Sequence, residues 1–245
     1  MSKEKFIVCI PARYNSTRFP GKVVAKLGGK PIIQWVYEKG CASNADSVIV
    51  ATDSIIVRDA VVGFGGKCVM TSEHHPSGTD RIWEAIKDID CNVIINIQGD
   101  EPLIKVSTIN KLIELFKNNP LVEMGTVVVL SDRSKIATNP NIVKAILAKD
   151  SSALYFSRSE IPYIRESGKE FPIYKHLGIY GYRKNTLKRL VSLPQSDLEK
   201  CEMLEQLRAL ENGIKIYAVV LQEDFGVGID TPEDLQKAEM LIKNM

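Results

Sequence analysis

The sequence predicts an α/β protein: a mostly parallel, mixed sheet flanked by helices, with a smaller antiparallel section in its second half. Three observations carry this expectation. Short β-branched runs recur through the first half, FIVCI (6–10), SVIVATD (47–53), KCVMT (67–71) and VIINIQGD (93–100), and they are continuously apolar, as strands buried on both faces are. Helix-like segments separate them near 31–41, 54–64, 78–89 and 106–118, and strand–helix alternation implies βαβ units. From about residue 121 the rhythm changes, with MGTVVVL (124–130), IVKAILA (142–148), ALYFS (153–157) and HLGIYGY (176–182) close together.

The remaining elements follow from their ends. SDLEKCEMLEQLRALENG (196–213) reads as one helix, with Ser196 as N-cap, acids at 197 and 199 in its first turn and Gly213 just beyond. IKIYAVVL (214–221) reads as a strand. TPEDLQKAEMLIKN (231–244) reads as a closing helix, with Thr231 as N-cap and Pro232 at the first position. No repeat, low-complexity tract or linker interrupts the chain. A single domain over 1–245 is expected, with a nucleotide-binding part in 1–120 and 214–245 and a second part over about 121–213.

Bulk properties narrow the function. The 245 residues suffice for one large domain, and 32 Lys plus Arg against 30 acids leave a formal charge of +2, too balanced for a protein that coats nucleic acid. MSKEKFIVCI lacks the apolar length of a signal peptide, and no stretch approaches the ~18–20 apolar residues of a membrane span. The five cysteines show no CxxC spacing, as expected of reduced thiols in a cytoplasmic protein without nucleic-acid or membrane partners.

The chemistry concentrates in a few stretches. IPARYNSTRFPGK (10–22) follows the first strand and places Arg13, Arg18 and Lys22 in one glycine-containing loop. Turn N–H groups and fixed positive charges suit a triphosphate, although neither a Walker A nor a dinucleotide motif is present. NIQGDEP (96–102) sets Asp100 just past a buried strand, a position suited to Mg²⁺, which takes one or two carboxylates plus phosphate oxygens. VGIDTPED (227–234) offers Asp230 as a second carboxylate for such a site, or simply as a helix cap. SGTDR (77–81) is a turn entering a helix that could meet a base or ribose. Arg158, Arg165 and His176 form a candidate positive pocket for a substrate carboxylate, while Tyr180 and Tyr182 read as core. Glu202 and Gln206 are spaced to share one helix face.

In this order, IPARYNSTRFPGK, VATD, SGTDR, NIQGDEP, ALYFSRSEIP, KHLGIYGYR, LEQLRALENG and GIDTPEDL resemble the 3-deoxy-manno-octulosonate (Kdo) cytidylyltransferase family over essentially the whole chain. The opening loop is shared with other sugar nucleotidyltransferases, whereas LYFSR and KHLGIYGY are more specific. The resemblance implies a Rossmann-like nucleotidyltransferase fold, a homodimer contact around the middle section, and transfer of CMP from CTP to the acidic eight-carbon sugar with Mg²⁺ as cofactor. It places Ala12, Arg13, Ser16, Arg18, Lys22, Gly78, Thr79, Arg81 and Gln98 at the nucleotide, with Arg13, Lys22 and Asp100 carrying catalysis. Asp100 and Asp230 fall on the metal carboxylates, and Arg158, Arg165, His176, Tyr180, Glu205 and Gln206 lie in segments lining the sugar pocket. The stretch between Ile164 and Ile173 is short, which leaves open a preference for Kdo or its 8-amino-8-deoxy form.

Overall fold

The computed structural model describes residues 4–166, 171–224 and 228–243. They pack as two compact units, one from 1–113 and 225–245 and the other from 114–224.

The first unit is a parallel sheet in the order β6–β1–β4–β5. Strand β1 (Phe6–Ala12) is buried along its whole length. After it comes a single 3-10 turn (Lys22–Val24) and a hairpin of β2 (Lys26–Leu27) and β3 (Lys30–Pro31), whose turn is made by Gly28 and Gly29, both at positive φ. Helix α1 (Ile32–Cys41) leads to β4 (Ser47–Thr52), helix α2 (Ile55–Gly63) to β5 (Cys68–Met70), and helix α3 (Gly78–Ile86) to β6 (Val93–Asn96). Strand β1 lies between β4 and β6, parallel to both, and β4 is parallel to β5. Their continuous β-branched sequences are those of strands covered on both faces. The boundary with the second unit falls within helix α4 (Val106–Asn118).

The second unit contains β7 (Met124–Ser131), helix α5 (Arg133–Ile136), β8 (Lys144–Leu147), β9 (Ala153–Ser157), β10 (Ile173–Arg183), helices α6 (Lys184–Ser192), α7 (Asp197–Glu202) and α8 (Gln206–Glu211), and β11 (Ile216–Leu221). Strand β7 pairs antiparallel with β10 and parallel with β11, and β8 pairs antiparallel with both β10 and β9. Helix α9 (Pro232–Lys243) returns to the first unit.

Three expectations are corrected here. Residues 214–224 belong to the second unit, because β11 pairs along its length with β7. The segment 196–213 is two helices, since Met203 sits at φ 52 and breaks it. The carbonyls of Glu202 and Met203 accept hydrogen bonds from Arg158, at 2.8 and 3.4 Å, and so leave the helical ladder. Glu202 and Gln206 therefore stand on different helices. Helices α5 and α6 were not anticipated in the crowded middle section.

Candidate active site

The opening loop folds back on itself through Gly21. Its N–H donates to the Tyr14 carbonyl at 2.8 Å, and its φ of 72 lies in the left-handed region, which glycine enters without a steric cost. A side chain there would meet the Tyr14 ring at 3.2 Å. Gly21 thus launches the 3-10 turn whose first residue is Lys22. The Lys22 ammonium bonds the Asp100 carboxylate and also Asp230 Oδ1, the latter at 2.8 Å. Arg18 reaches the other oxygen of Asp230 at 2.9 Å.

Asp100 and Asp230 meet although 130 positions separate them. Strand β6 ends at Asn96, sooner than its apolar run suggested, so Gln98, Gly99 and Asp100 lie on the turn that follows. Gly99 lets that turn press on β1: a Cβ there would be 3.1 Å from the Pro11 carbonyl oxygen. The Ile229 N–H donates to the Asp100 carbonyl at 2.8 Å, and the Ile229 side chain is fully buried with Leu27, Ile32 and Ala238. Burial of such a side chain is worth about 1.5–3 kcal/mol, and here it anchors the chain beside Asp100. Thr231 and Asp234 cap α9 reciprocally, through Asp234 N–H to Thr231 Oγ1 (3.3 Å) and Thr231 N–H to Asp234 Oδ2 (3.1 Å). Capping therefore does not occupy the Asp230 carboxylate.

Burial works against the charge on Lys22, but the facing Asp100 and Asp230 outweigh it and raise its pKa above the ordinary lysine value. Two carboxylates converging on one cationic point form a hard-oxygen donor set. That arrangement fits a magnesium ion whose remaining ligands are water and phosphate oxygens.

A cleft of about 330 Å³ opens beside this cluster, lined by Arg13, Ser16, Lys22, Gly78, Gln98 and Asp100 among others. Asn15 and Thr17 of the opening loop also line it, as does Gly99 of the turn after β6. Arg13 donates to the His75 carbonyl at 2.7 Å. The loop carrying His75 is tied to helix α3 by Glu84, which accepts from the Ser72 N–H at 2.9 Å and contacts the His75 ring. Ala12 and Thr79 are buried rather than lining the cleft. The Thr79 and Asp80 N–H groups in the first turn of α3 are engaged as well, since the Ser77 hydroxyl accepts from both. Arg81 is fully buried and donates to Thr71 Oγ1 at 2.6 Å and Asp53 Oδ2 at 2.5 Å. Its guanidinium acts as an internal strut, contrary to the expectation of a direct nucleotide contact.

The decisive observation comes from the chain as a whole. The cytidylyltransferase family model matches residues 7–216. The chain belongs to this family. Among curated relatives, the 3-deoxy-manno-octulosonate cytidylyltransferase of Thermodesulfovibrio yellowstonii is 52% identical over 95% of this chain and 96% of its own length. The enzyme of the same name from Elusimicrobium minutum is 46% identical over 97% and 98%. A solved structure described as CMP:2-keto-3-deoxy-manno-octonic acid synthetase complexed with CTP superimposes with a TM-score of 0.95 at 40% identity, over 98% of this chain and 99% of that one.

In this cytidylyltransferase the second unit holds all six residues expected at the sugar. His176 is buried, and burial pushes its pKa down to about 3. The Thr126 hydroxyl donates to the Ile179 carbonyl at 2.9 Å, so the His176 Nε2 at 3.0 Å is the protonated nitrogen of a neutral ring. Thr126 thereby fills the irregularity where β10 shifts register on β7 between Leu177 and Tyr180. The His176 ring packs edge-on against Phe156 and tilted against Tyr180, with centroids at 4.8 and 5.5 Å. His176 therefore contributes no positive charge, which corrects the expected three-cation pocket. Burial likewise holds the Tyr180 phenol well above its ordinary pKa. Arg158 is half-buried and Arg165 exposed, while Glu205 and Gln206 open helix α8. Gln206 is buried, and its Nε2 has no hydrogen-bond partner among the described residues. Residues 167–170 of the short stretch expected at the sugar mouth lie outside the described residues.

Proposed function

We propose that this chain transfers CMP from CTP to the anomeric 2-hydroxyl of Kdo, releasing pyrophosphate. The observation that carries the reading is the cluster in which Lys22 bridges Asp100 and Asp230 at the edge of a cleft lined by Arg13 and Ser16. The relatives are named for this activity, and a solved structure of similar fold holds CTP.

In a single in-line displacement, the sugar oxygen bonds to the α-phosphorus as the bond to the β-phosphate oxygen breaks. The hydroxyl proton passes to solvent water, and no covalent enzyme intermediate is required. Arg13, Ser16 and Arg18 orient the triphosphate through bidentate and hydroxyl contacts. Magnesium held by Asp100 and Asp230 would supply Lewis acidity to the attacking hydroxyl and neutralise phosphate charge. Phosphate binding gives the Lys22 ammonium a new set of anionic oxygens, on which it steadies the charge that develops. Gln98 and Gly78 present amide and backbone groups to the nucleoside side. The sugar acid is assigned to Arg158, Arg165, Tyr180, Glu205 and Gln206, and the unpartnered Gln206 amide supports that assignment.

A homodimer and a cytoplasmic location complete the proposal; among the described residues no helix is long and apolar enough to cross a membrane. The test is pyrophosphate release with CTP and Mg²⁺ in the presence of Kdo or 8-amino-8-deoxy-Kdo, with ATP, GTP and UTP in parallel. Release confined to CTP is expected, and the ratio of the two rates names the sugar. Silence with both sugars, while CTP binds, would overturn the sugar assignment.

A further inference from the structure

Lys144 opens strand β8 and is fully buried. An ammonium is expensive to remove from water unless its donors are matched. Here all three N–H groups are matched by backbone carbonyls: Asn139 at 3.0 Å, Ile142 at 2.8 Å, and Arg158. Two of these acceptors lie in the loop preceding β8, and the third lies just past the end of β9. No apolar side chain could join them.

The same Arg158 is held from its other side. Glu202, the last residue of α7, accepts from the Arg158 N–H at 2.9 Å and from the Ser157 hydroxyl at 2.5 Å. The Arg158 guanidinium then donates to the carbonyls of Glu202 (2.8 Å), Pro140 (3.0 Å) and Met203 (3.4 Å). Arg158 is thus fixed through its carbonyl, its amide and three of its five side-chain donors, which leaves two terminal N–H groups. A guanidinium immobilised in this way loses little further freedom when it binds an anion.

We propose that Lys144 is a positioning residue for recognition of the acidic substrate: with Glu202 it clamps Arg158 so that the two remaining N–H groups are presented to a carboxylate. The inference rests on the assignment of Arg158 to the sugar acid. Lys144 itself does not touch substrate. The clamp also joins Pro140, Ser157 and Met203, so the break between α7 and α8, and with it the placement of Glu205 and Gln206, depends on the same contacts.

The experiment is steady-state kinetics of Lys144→Met, Glu202→Gln and Arg158→Ala, with KM measured separately for CTP and for the sugar acid. Lys144→Met is expected to raise the sugar KM about tenfold, the size of an ordinary coupling between contacting residues, with the CTP KM within about twofold. Lys144→Arg, which keeps a cation and donors, should restore part of the loss. If Lys144→Met does not fold, Glu202→Gln carries the test, because a carboxamide has one acceptor oxygen for two donors and should give the same selective rise. A sugar KM unchanged in both clamp variants while Arg158→Ala raises it overturns the positioning role alone. An equal rise in both KM values in the clamp variants reduces Lys144 to a structural residue and also overturns it. An unchanged sugar KM in Arg158→Ala overturns the assignment of the sugar pocket and the inference with it.

Discussion

Replacing His176 by Gln tests the neutral state of the ring through the pH dependence of folding. Glutamine retains an N–H donor for Thr126 Oγ1 but cannot titrate. The buried ring has a folded pKa of about 3 against an ordinary 6.5, so the unfolded chain binds the proton that the folded protein refuses. A depressed folded value means the stability is present above the unfolded pKa and is lost as pH falls toward the folded one. Between neutral pH and about pH 4 the linkage comes to roughly 3 kcal/mol, a sizeable part of the 5–15 kcal/mol typical of a domain. Urea unfolding at several pH values should therefore show the wild-type stability falling about 3 kcal/mol further than that of His176→Gln over this interval. The difference between the two proteins removes the carboxylate titrations they share. Parallel curves, or an NMR titration of His176 near its ordinary pKa, would refute the buried neutral ring and restore a cationic pocket.

The remaining predictions concern the nucleotide side. Lys22→Met should lower kcat about a hundredfold to a thousandfold, as loss of one aimed donor does elsewhere; a pyrophosphate-release rate near wild type would remove Lys22 from the charge-stabilising role. Asp100→Ala should abolish turnover, and chelation of divalent ions in the wild type should do the same, with recovery on added Mg²⁺ as the check. Gly21→Ala should cost about 1–2 kcal/mol from the left-handed conformation alone, plus displacement of the Tyr14 ring. Thermal unfolding reads the first effect and the CTP KM reads the shift of Lys22, and no change in either would mean that the loop re-forms without the glycine.

Much of this was legible in the sequence because it is local. Continuous β-branched runs identified the strands of the first unit, since a strand covered on both faces needs apolar side chains on both. The clustering of Arg13, Arg18 and Lys22 in one glycine-containing loop was readable because all three lie within one short segment. Asp230 was ambiguous, because an Asp before a helix is most often its cap; only the Thr231–Asp234 pair shows that capping is done elsewhere. Lys144 was visible as a lone charge in the apolar run IVKAILA, but its partners are carbonyls, which every residue carries and no sequence pattern marks.

The sequence by itself determined the class of fold, the family and the identity of the charged groups, because periodicity and motif order are properties of neighbouring residues. Tertiary structure decided which of those groups act together. It seated Asp230 beside Asp100 through one backbone hydrogen bond and the burial of Ile229, and it withdrew Arg81 and His176 into the interior, where one is an ion-paired strut and the other a neutral ring. It also broke a well-formed helical sequence at Met203 because the carbonyls there serve Arg158 instead of the helix. In each case the deciding quantity was burial or a long-range hydrogen bond, which depends on what the folded chain brings alongside a residue rather than on what precedes it in sequence.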